Sequence, residues 1–231
     1  WITGQALYVV GATFLLKRIK GVKRAGLATV IPTVNGCYLL MDAGANLDCK
    51  PETLCQFGVM GSLYMQKVQK VASPRVGLVN IGTEDSKGTD LQVEANKLLR
   101  DAGVNYVGNV EAREIPLGGC DVAVCDGFTG NVVLKLTEGL AKMFAGELKS
   151  MFLASLGTKI GALLLAKQVQ GFKKKLDASE VGGALLLGIR RPVIKAHGNS
   201  NGKAFKNAIR QAVSFQEGGV IEYIGEKLAV T

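Results

Sequence analysis

Residues 121 to 135, Asp-Val-Ala-Val-Cys-Asp-Gly-Phe-Thr-Gly-Asn-Val-Val-Leu-Lys, hold the densest group of residues able to do chemistry. A short apolar run stops at Asp126, Gly127 and Gly130 bracket Phe128 and Thr129, and Asn131 opens a strongly helical segment. That order reads as strand, tight turn and helix start, which aims backbone N–H groups and the positive end of a helix dipole at an anion. Glycines there let the backbone turn sharply and approach a ligand closely. An ordinary strand-to-helix connection in an α/β domain uses the same residues, so this stretch alone leaves both readings open.

Three more apolar runs end in the same manner. They are Met41-Asp42-Ala43-Gly44-Ala45-Asn46, Asn80-Ile81-Gly82-Thr83-Glu84 and Val107-Gly108-Asn109-Val110-Glu111. In an open α/β sheet, ligands bind outside the carboxyl ends of the strands, where loops and helix N-termini converge. Asn46, Gly82, Gly108, Asn109, Asp126, Gly127 and Gly130 are therefore the candidate binding residues. Lys87, in Glu84-Asp85-Ser86-Lys87-Gly88, is the candidate positive charge for a phosphate or a developing oxyanion, with a solvated loop lysine as its rival. Asn131 has two roles open to it, capping the helix or hydrogen-bonding a ligand. Lys135 reads as a surface or subunit-contact residue. No loop matches a dinucleotide-binding or P-loop fingerprint. His197 is the only histidine; it has no nucleophile and carboxylate at diagnostic spacing, so it reads as a loop hydrogen-bonding residue with a possible place in the site.

The elements that must position these residues follow from hydrophobic periodicity. Residues 5 to 20 read as a helix ended by Gly21. Strands are expected at 27–31, 37–41, 76–80, 104–107, 122–125 and 184–189, with helices near 51–71, 90–102 and 201–227. Pro51 suits a first helical turn. This alternation predicts a three-layer α/β/α sandwich on a largely parallel sheet, in a single α/β domain spanning residues 1–231. From Asn131 to 176 the pattern is helical throughout, with Leu140, Phe144, Leu148, Met151 and Phe152 on one face. Between Gly139 and Ala178 seven lysines face Glu147 and Asp177, a net +5. The segment at about 139–178 is thus a basic helical protrusion, and its Ile160–Leu165 apolar run calls for something to cover it.

Composition narrows the classes. Lys plus Arg number 28 against 19 Asp plus Glu, giving +9, which suits an acidic partner: a phosphorylated ligand, an acidic protein, an anionic lipid surface or nucleic acid. The five cysteines are odd in number with no C-x-x-C pair. With one histidine, that pattern argues against a zinc site and for a reducing, cytoplasmic compartment. A cysteine nucleophile lacks a visible activating partner. The apolar start at residues 1–16 precedes its basic cluster, the wrong order for a secretory signal. No uncharged apolar run reaches the roughly 20 residues that span a bilayer. The chain begins at Trp1 rather than Met, so a fragment or processed product is expected.

Five stretches, in order, resemble the bacterial phosphate acyltransferase (PlsX) family. They are Met41 to Pro51, Gly77 to Gly82 with Ser86-Lys87-Gly88, Gly108 to Glu111, Asp126 to Val132, and Pro192 to Gly198. The resemblance implies a fold like isocitrate and isopropylmalate dehydrogenases and a homodimer. It implies transfer of a fatty acyl group from acyl carrier protein to inorganic phosphate, making acyl phosphate for a membrane acyltransferase of phospholipid synthesis. Peripheral membrane association is also implied, and fits the basic helices. Family members carry further residues before this point, including first strands and a glycine-rich loop from which Trp1-Ile2-Thr3-Gly4 departs.

Phosphate brings its own nucleophile, so direct attack on the thioester needs positioning and oxyanion stabilisation and no cofactor or metal. Lys87 and Asn131 are the expected catalytic residues, with Gly82, Gly108 and Gly130 N–H groups cradling phosphate and His197 nearby. No nucleic acid partner is expected. The rivals are a phosphotransacetylase-like enzyme acting on acyl-CoA and a non-catalytic membrane-associated scaffold of lipid-synthesis enzymes.

Overall fold

The computed structural model describes residues 4–33, 36–176, 182–196 and 200–229. Eight helices, a short 3-10 turn and seven strands follow one another as α1 (Gly4–Leu16), β1 (Gly26–Thr33), β2 (Gly36–Met41), α2 (Pro51–Lys67), β3 (Arg75–Asn80), α3 (Asp90–Arg100), β4 (Asn105–Glu111), the 3-10 turn (Ile115–Leu117), β5 (Val122–Val124), α4 (Gly127–Leu153), α5 (Leu156–Leu164), α6 (Ala166–Leu176), β6 (Ala184–Leu187), β7 (Ile194–Lys195), α7 (Gly202–Glu217) and α8 (Val220–Ala229) among the described residues.

One seven-stranded sheet has the order β4-β3-β5-β2-β1-β6-β7. The β4-β3-β5-β2 half is parallel, as the alternation of strands and helices predicts. The β2-β1, β1-β6 and β6-β7 pairings are antiparallel. This half has no crossover helices to read between β1 and β2, so periodicity does not reveal its direction. Strand alternation splits the core into two faces. Val30, Leu39, Met41, Leu78, Val122 and Val124 pack against Leu54, Phe57 and Met60 of α2, Leu99 of α3 and Ile224 of α8. On the other face, Leu27, Ile31, Tyr38, Leu40 and Ala123 meet Ile115 of the 3-10 turn and Val133 and Leu134 of α4. Ala12 of α1 packs on Ala25, Leu186 and Ile189. The result is the expected three-layer α/β/α sandwich.

Several boundaries differ from expectation for local reasons. The first helix ends at Leu16, because Lys17 turns left-handed at φ 63. The chain then pairs with the end of β6: Ile19 donates its N–H to the Gly188 carbonyl at 2.9 Å. β4 continues to Glu111 rather than stopping at Val107, because Gly108 at φ 94 makes a bulge and not a turn. The last helix is two helices, separated at Gly218-Gly219. α4 begins at Gly127, not Asn131, and the helical stretch that follows is three helices. α5 buries no residue; it packs on α4, and α6 packs on α5.

Candidate active site

Sheet topology gathers the loops. The C-terminal ends of β3, β5 and β2 lie side by side, so the 81–88 loop, the start of α4 and the 42–46 loop share one end of the sheet. Because β1 is antiparallel to β2, its start, with Arg24 just before it, reaches the same end.

Asp42 organises the β2 loop. It is fully buried, and its two oxygens accept five N–H donors: Leu27 N at 3.0 Å, Gly44 N at 3.0 Å, Ala45 N at 2.9 Å, Asn46 N at 2.7 Å and Asn46 Nδ2 at 2.8 Å. Burial pushes the carboxyl up, while the Ala45, Asn46, Leu27 and Gly44 donors pull it back. Asn46 Nδ2 also donates to the Ala25 carbonyl at 2.8 Å, tying the loop to the start of β1. The predicted binding residue Asn46 therefore has its amide donors engaged within the fold.

The junction after β5 is closed as tightly. Asp126 caps α4, accepting Thr129 N and Thr129 Oγ1, each at 2.8 Å. Gly127 N donates to the Asn46 carbonyl at 2.7 Å and Gly130 N to the Asp126 carbonyl at 2.9 Å. These three N–H groups are already paired, and the helix N-terminus carries its own carboxylate. The expectation that Gly130 N–H cradles phosphate is corrected accordingly. The glycines serve a different close approach. A Cβ at Gly127 would sit 2.6 Å from the Asn46 oxygen, and one at Gly130 would sit 1.8 Å from the Asp42 oxygen. They let α4 dock onto the 42–46 loop. Asn131 is not the cap; it lies further along α4, exposed, with no side-chain partner among the described residues.

The loop after β3 is held open by two asparagines. Asn80 Nδ2 donates to the Lys87 carbonyl at 2.9 Å and Asn109 Nδ2 to the Glu84 carbonyl at 2.8 Å. Asn109 is 5% exposed, and its Oδ1 finds no partner among the described residues. Gly82 is buried beneath the stem of Lys87, whose Cγ lies 3.0 Å from where a Gly82 Cβ would be. The Lys87 ammonium itself is exposed and makes no ion pair among the described residues. Gly108 sits three residues short of the strand end at Glu111, paired with Gly77 inside the sheet. It is not brought to the loop cluster, which corrects the expectation that its N–H cradles phosphate. His197 lies outside the described residues.

Around this end, Leu47, Ile81 and Phe128 are 70%, 81% and 66% exposed, an apolar rim beside the polar groups. No thiol here is activated. Burial, then the Asp42 and Asp126 carboxylates, push Cys49 up to about 12, with Gly127 N–H and Arg24 acting the other way. Cys37, Cys55, Cys120 and Cys125 are raised too, in each case first by burial, leaving no thiolate for nucleophilic chemistry. Sequence reasoning passed over Asp42, Asn80 and Arg24 as site-shaping residues. The Asp-Ala-Gly-Ala-Asn run after β2 was the visible signal for Asp42; Arg24 had none.

The fold and the loop cluster together define an α/β/α protein whose loops gather at the carboxyl end of a parallel half-sheet. Its fold is like that of a phosphotransacetylase from Streptococcus pyogenes, with a TM-score of 0.58 over 93% of this chain and 61% of that chain, at 17% identity. A sequence model of the family described as "Fatty acid synthesis protein" matches residues 3–223, and the chain belongs to that family. Among its relatives, proteins named phosphate acyltransferase are 55% identical over 94% of this chain in Alkaliphilus oremlandii, 50% identical over 94% in Clostridium novyi and 47% identical over 96% in Caldanaerobacter subterraneus subsp. tengcongensis. The chain spans 65% of the length of the first two relatives and 67% of the third.

Proposed function

We propose that this protein moves a fatty acyl group from acyl carrier protein to inorganic phosphate, forming acyl phosphate for phospholipid synthesis. The observation that carries the reading is that Lys87, on the loop after β3, and Asn131, in α4 after the neighbouring strand β5, have no side-chain partner among the described residues and lie at the same end of the sheet as the exposed apolar rim of Leu47, Ile81 and Phe128. A cation and an amide suit phosphate and a thioester oxyanion, and the rim suits an alkyl chain. The phosphate acyltransferase name of the relatives supports the same chemistry.

In this reading a phosphate oxygen attacks the thioester carbonyl carbon. The Lys87 ammonium and the Asn131 amide stabilise the resulting oxyanion, the C–S bond breaks, and the carrier thiolate leaves and takes a proton from solvent. The acyl–oxygen bond replaces the acyl–sulfur bond, with no covalent enzyme intermediate and no cofactor. The raised thiols agree with a nucleophile supplied by phosphate itself.

Two assembly features belong to the same proposal. Val132, Leu136, Leu140, Met143 and Phe144 form an exposed apolar stripe along α4, supporting a homodimer. Leu156, Ile160, Leu163 and Leu164 are exposed on α5, beside Lys159 and Lys167, which supports peripheral attachment of a cytoplasmic protein to an anionic membrane. No described helix is long and apolar enough to cross a membrane. The substrate test is a side-by-side assay of long-chain acyl carrier protein and acetyl-CoA with phosphate. Faster turnover of the carrier thioester is expected; preference for acetyl-CoA would move the protein to phosphotransacetylase chemistry.

A further inference from the structure

A second concave site lies away from the loop cluster, where the end of α1, the turn after β6 and the start of α8 meet. Its volume is about 620 Å³, and Leu15, Leu16, Ile19 and Ile221 line it together with Lys20, Arg190 and Arg191. That size is in the range of pockets that hold small ligands. β6 is four strand positions from β3, so at roughly 4.8 Å per strand the site is on the order of 19 Å across the sheet from the Lys87 loop.

Its cations divide into two groups. Arg18 and Arg190 do structural work in the segment that follows α1: Arg18 Nη1 donates to the Lys23 carbonyl, and Arg190 Nε to the Arg18 carbonyl at 2.9 Å. Fastening the 17–24 segment and the turn after β6 to one another accounts for these. It does not account for Lys20 and Arg191, which are exposed and have no hydrogen bond or ion pair among the described residues. Among the described residues, no carboxylate lines the pocket. Beside these charges Leu15 is 82% exposed and Leu16 is half-exposed. Single exposed leucines are ordinary, but two of them in a concavity rimmed by unneutralised cations are amphiphilic by construction.

We propose that this pocket binds a single-chain anionic lipid, with a phosphate or carboxylate head on Lys20, Arg191 and the outer face of Arg190 and the alkyl chain along Leu15, Leu16 and Ile221. The site is independent of the acyl transfer proposed above. A concave pocket favours one free molecule over a bilayer surface, and the test separates the two sources. Binding of dodecyl phosphate, below its micelle concentration, is measured by calorimetry on the wild-type protein, Lys20→Glu/Arg191→Glu and Lys87→Ala. Inorganic phosphate, dodecanol and phosphatidylglycerol vesicles are the comparison probes. The charge-reversed variant should bind dodecyl phosphate about tenfold or more weakly with an unchanged melting temperature, as expected when exposed charged groups are replaced. Phosphate and dodecanol should each bind the wild-type protein at least about tenfold more weakly than dodecyl phosphate, since each lacks one half of the interaction. Lys87→Ala should bind like wild type. Equal affinity in the charge-reversed variant, loss of binding in Lys87→Ala, or binding to vesicles alone would each overturn the assignment. The milder Lys20→Ala/Arg191→Ala gives the same comparison if charge reversal alters folding.

Discussion

Lys87 is positioned entirely by its backbone. Asn80 holds its carbonyl, Asn109 holds the carbonyl of Glu84, and Gly82 gives its stem room to fold back. Nothing among the described residues neutralises its ammonium, so its charge is available to a ligand. Replacing it by alanine removes charge without removing a structural contact. Lys87→Ala should lower acyl-phosphate formation by roughly two orders of magnitude, the scale seen when one oxyanion donor is lost, while the melting temperature stays within a degree or two, as for an exposed substitution. Turnover near wild type would remove Lys87 from the mechanism. Lys87 was legible because a lysine flanked by Ser86 and Gly88 after a strand is a recognisable loop. Asn131 was legible as a polar residue near a helix start, and of the two roles open to it the structure removes capping. The Asp126 side chain takes that role through a hydrogen bond to Thr129 that sequence spacing also permits and does not select.

At the scale of elements, α4 is fixed at its start by close backbone contact, with Val133 and Leu134 partly buried against the sheet beyond it. Gly127 and Gly130 are its only fully buried residues. The Gly-Phe-Thr-Gly stretch reads in sequence as a ligand-approach loop, because glycine signals closeness without saying to what. In the fold the close neighbour is the Asp42–Asn46 backbone. A methyl at Gly130 would meet the Asp42 carbonyl at 1.8 Å, whereas one at Gly139 meets nothing within 4 Å. Gly130→Ala should therefore destabilise by about 2–3 kcal/mol through overpacking. Gly139→Ala should stabilise by about 0.5–1 kcal/mol through helix propensity. Urea melts of the two variants check this, and equal effects of the same sign would contradict the docking geometry.

The opposite ends of β3 and β5 carry a second tie. Arg75 donates to Asp121 from Nε at 3.1 Å, from Nη2 at 3.0 Å and from its backbone N–H at 2.8 Å. Burial of Asp121 works against its charge, but the Arg75 hydrogen bonds outweigh it and hold the carboxyl below its usual range. A carboxyl depressed in the folded state adds stability above its unfolded pKa, about 3.9, and loses it as pH falls through the lower folded value. Asp121→Asn should be less stable than wild type near neutral pH, and the gap should close below about pH 4. A gap that stays constant in acid melts would show that the tie does not depend on charge.

Over the whole molecule, the parallel half of the sheet gathers the candidate loops and the antiparallel half adds the start of β1 to the same end. The parallel half was legible because β2, β3 and β5 are each followed by an α-helix. The β1-β2 and β6-β7 pairings were not, since pairing direction without a crossover helix leaves no periodic trace. The same topology brings Arg24 to the end where the loops gather and the Arg190-Arg191 turn to a separate pocket, neither of which any local motif announces. The exposed stripe on α4 starts at the loop cluster and runs along the helix, so assembly and chemistry share one element in the proposed dimer.

The central claim is that phosphate takes the acyl group. It is tested most directly by supplying fully ¹⁸O-labelled phosphate with a long-chain acyl carrier protein thioester and reading the lipid product by mass spectrometry. Acyl phosphate that retains the complete label, formed in step with release of free carrier thiol, is the predicted result. Unlabelled fatty acid, or thioester left intact by a folded protein, would contradict the account.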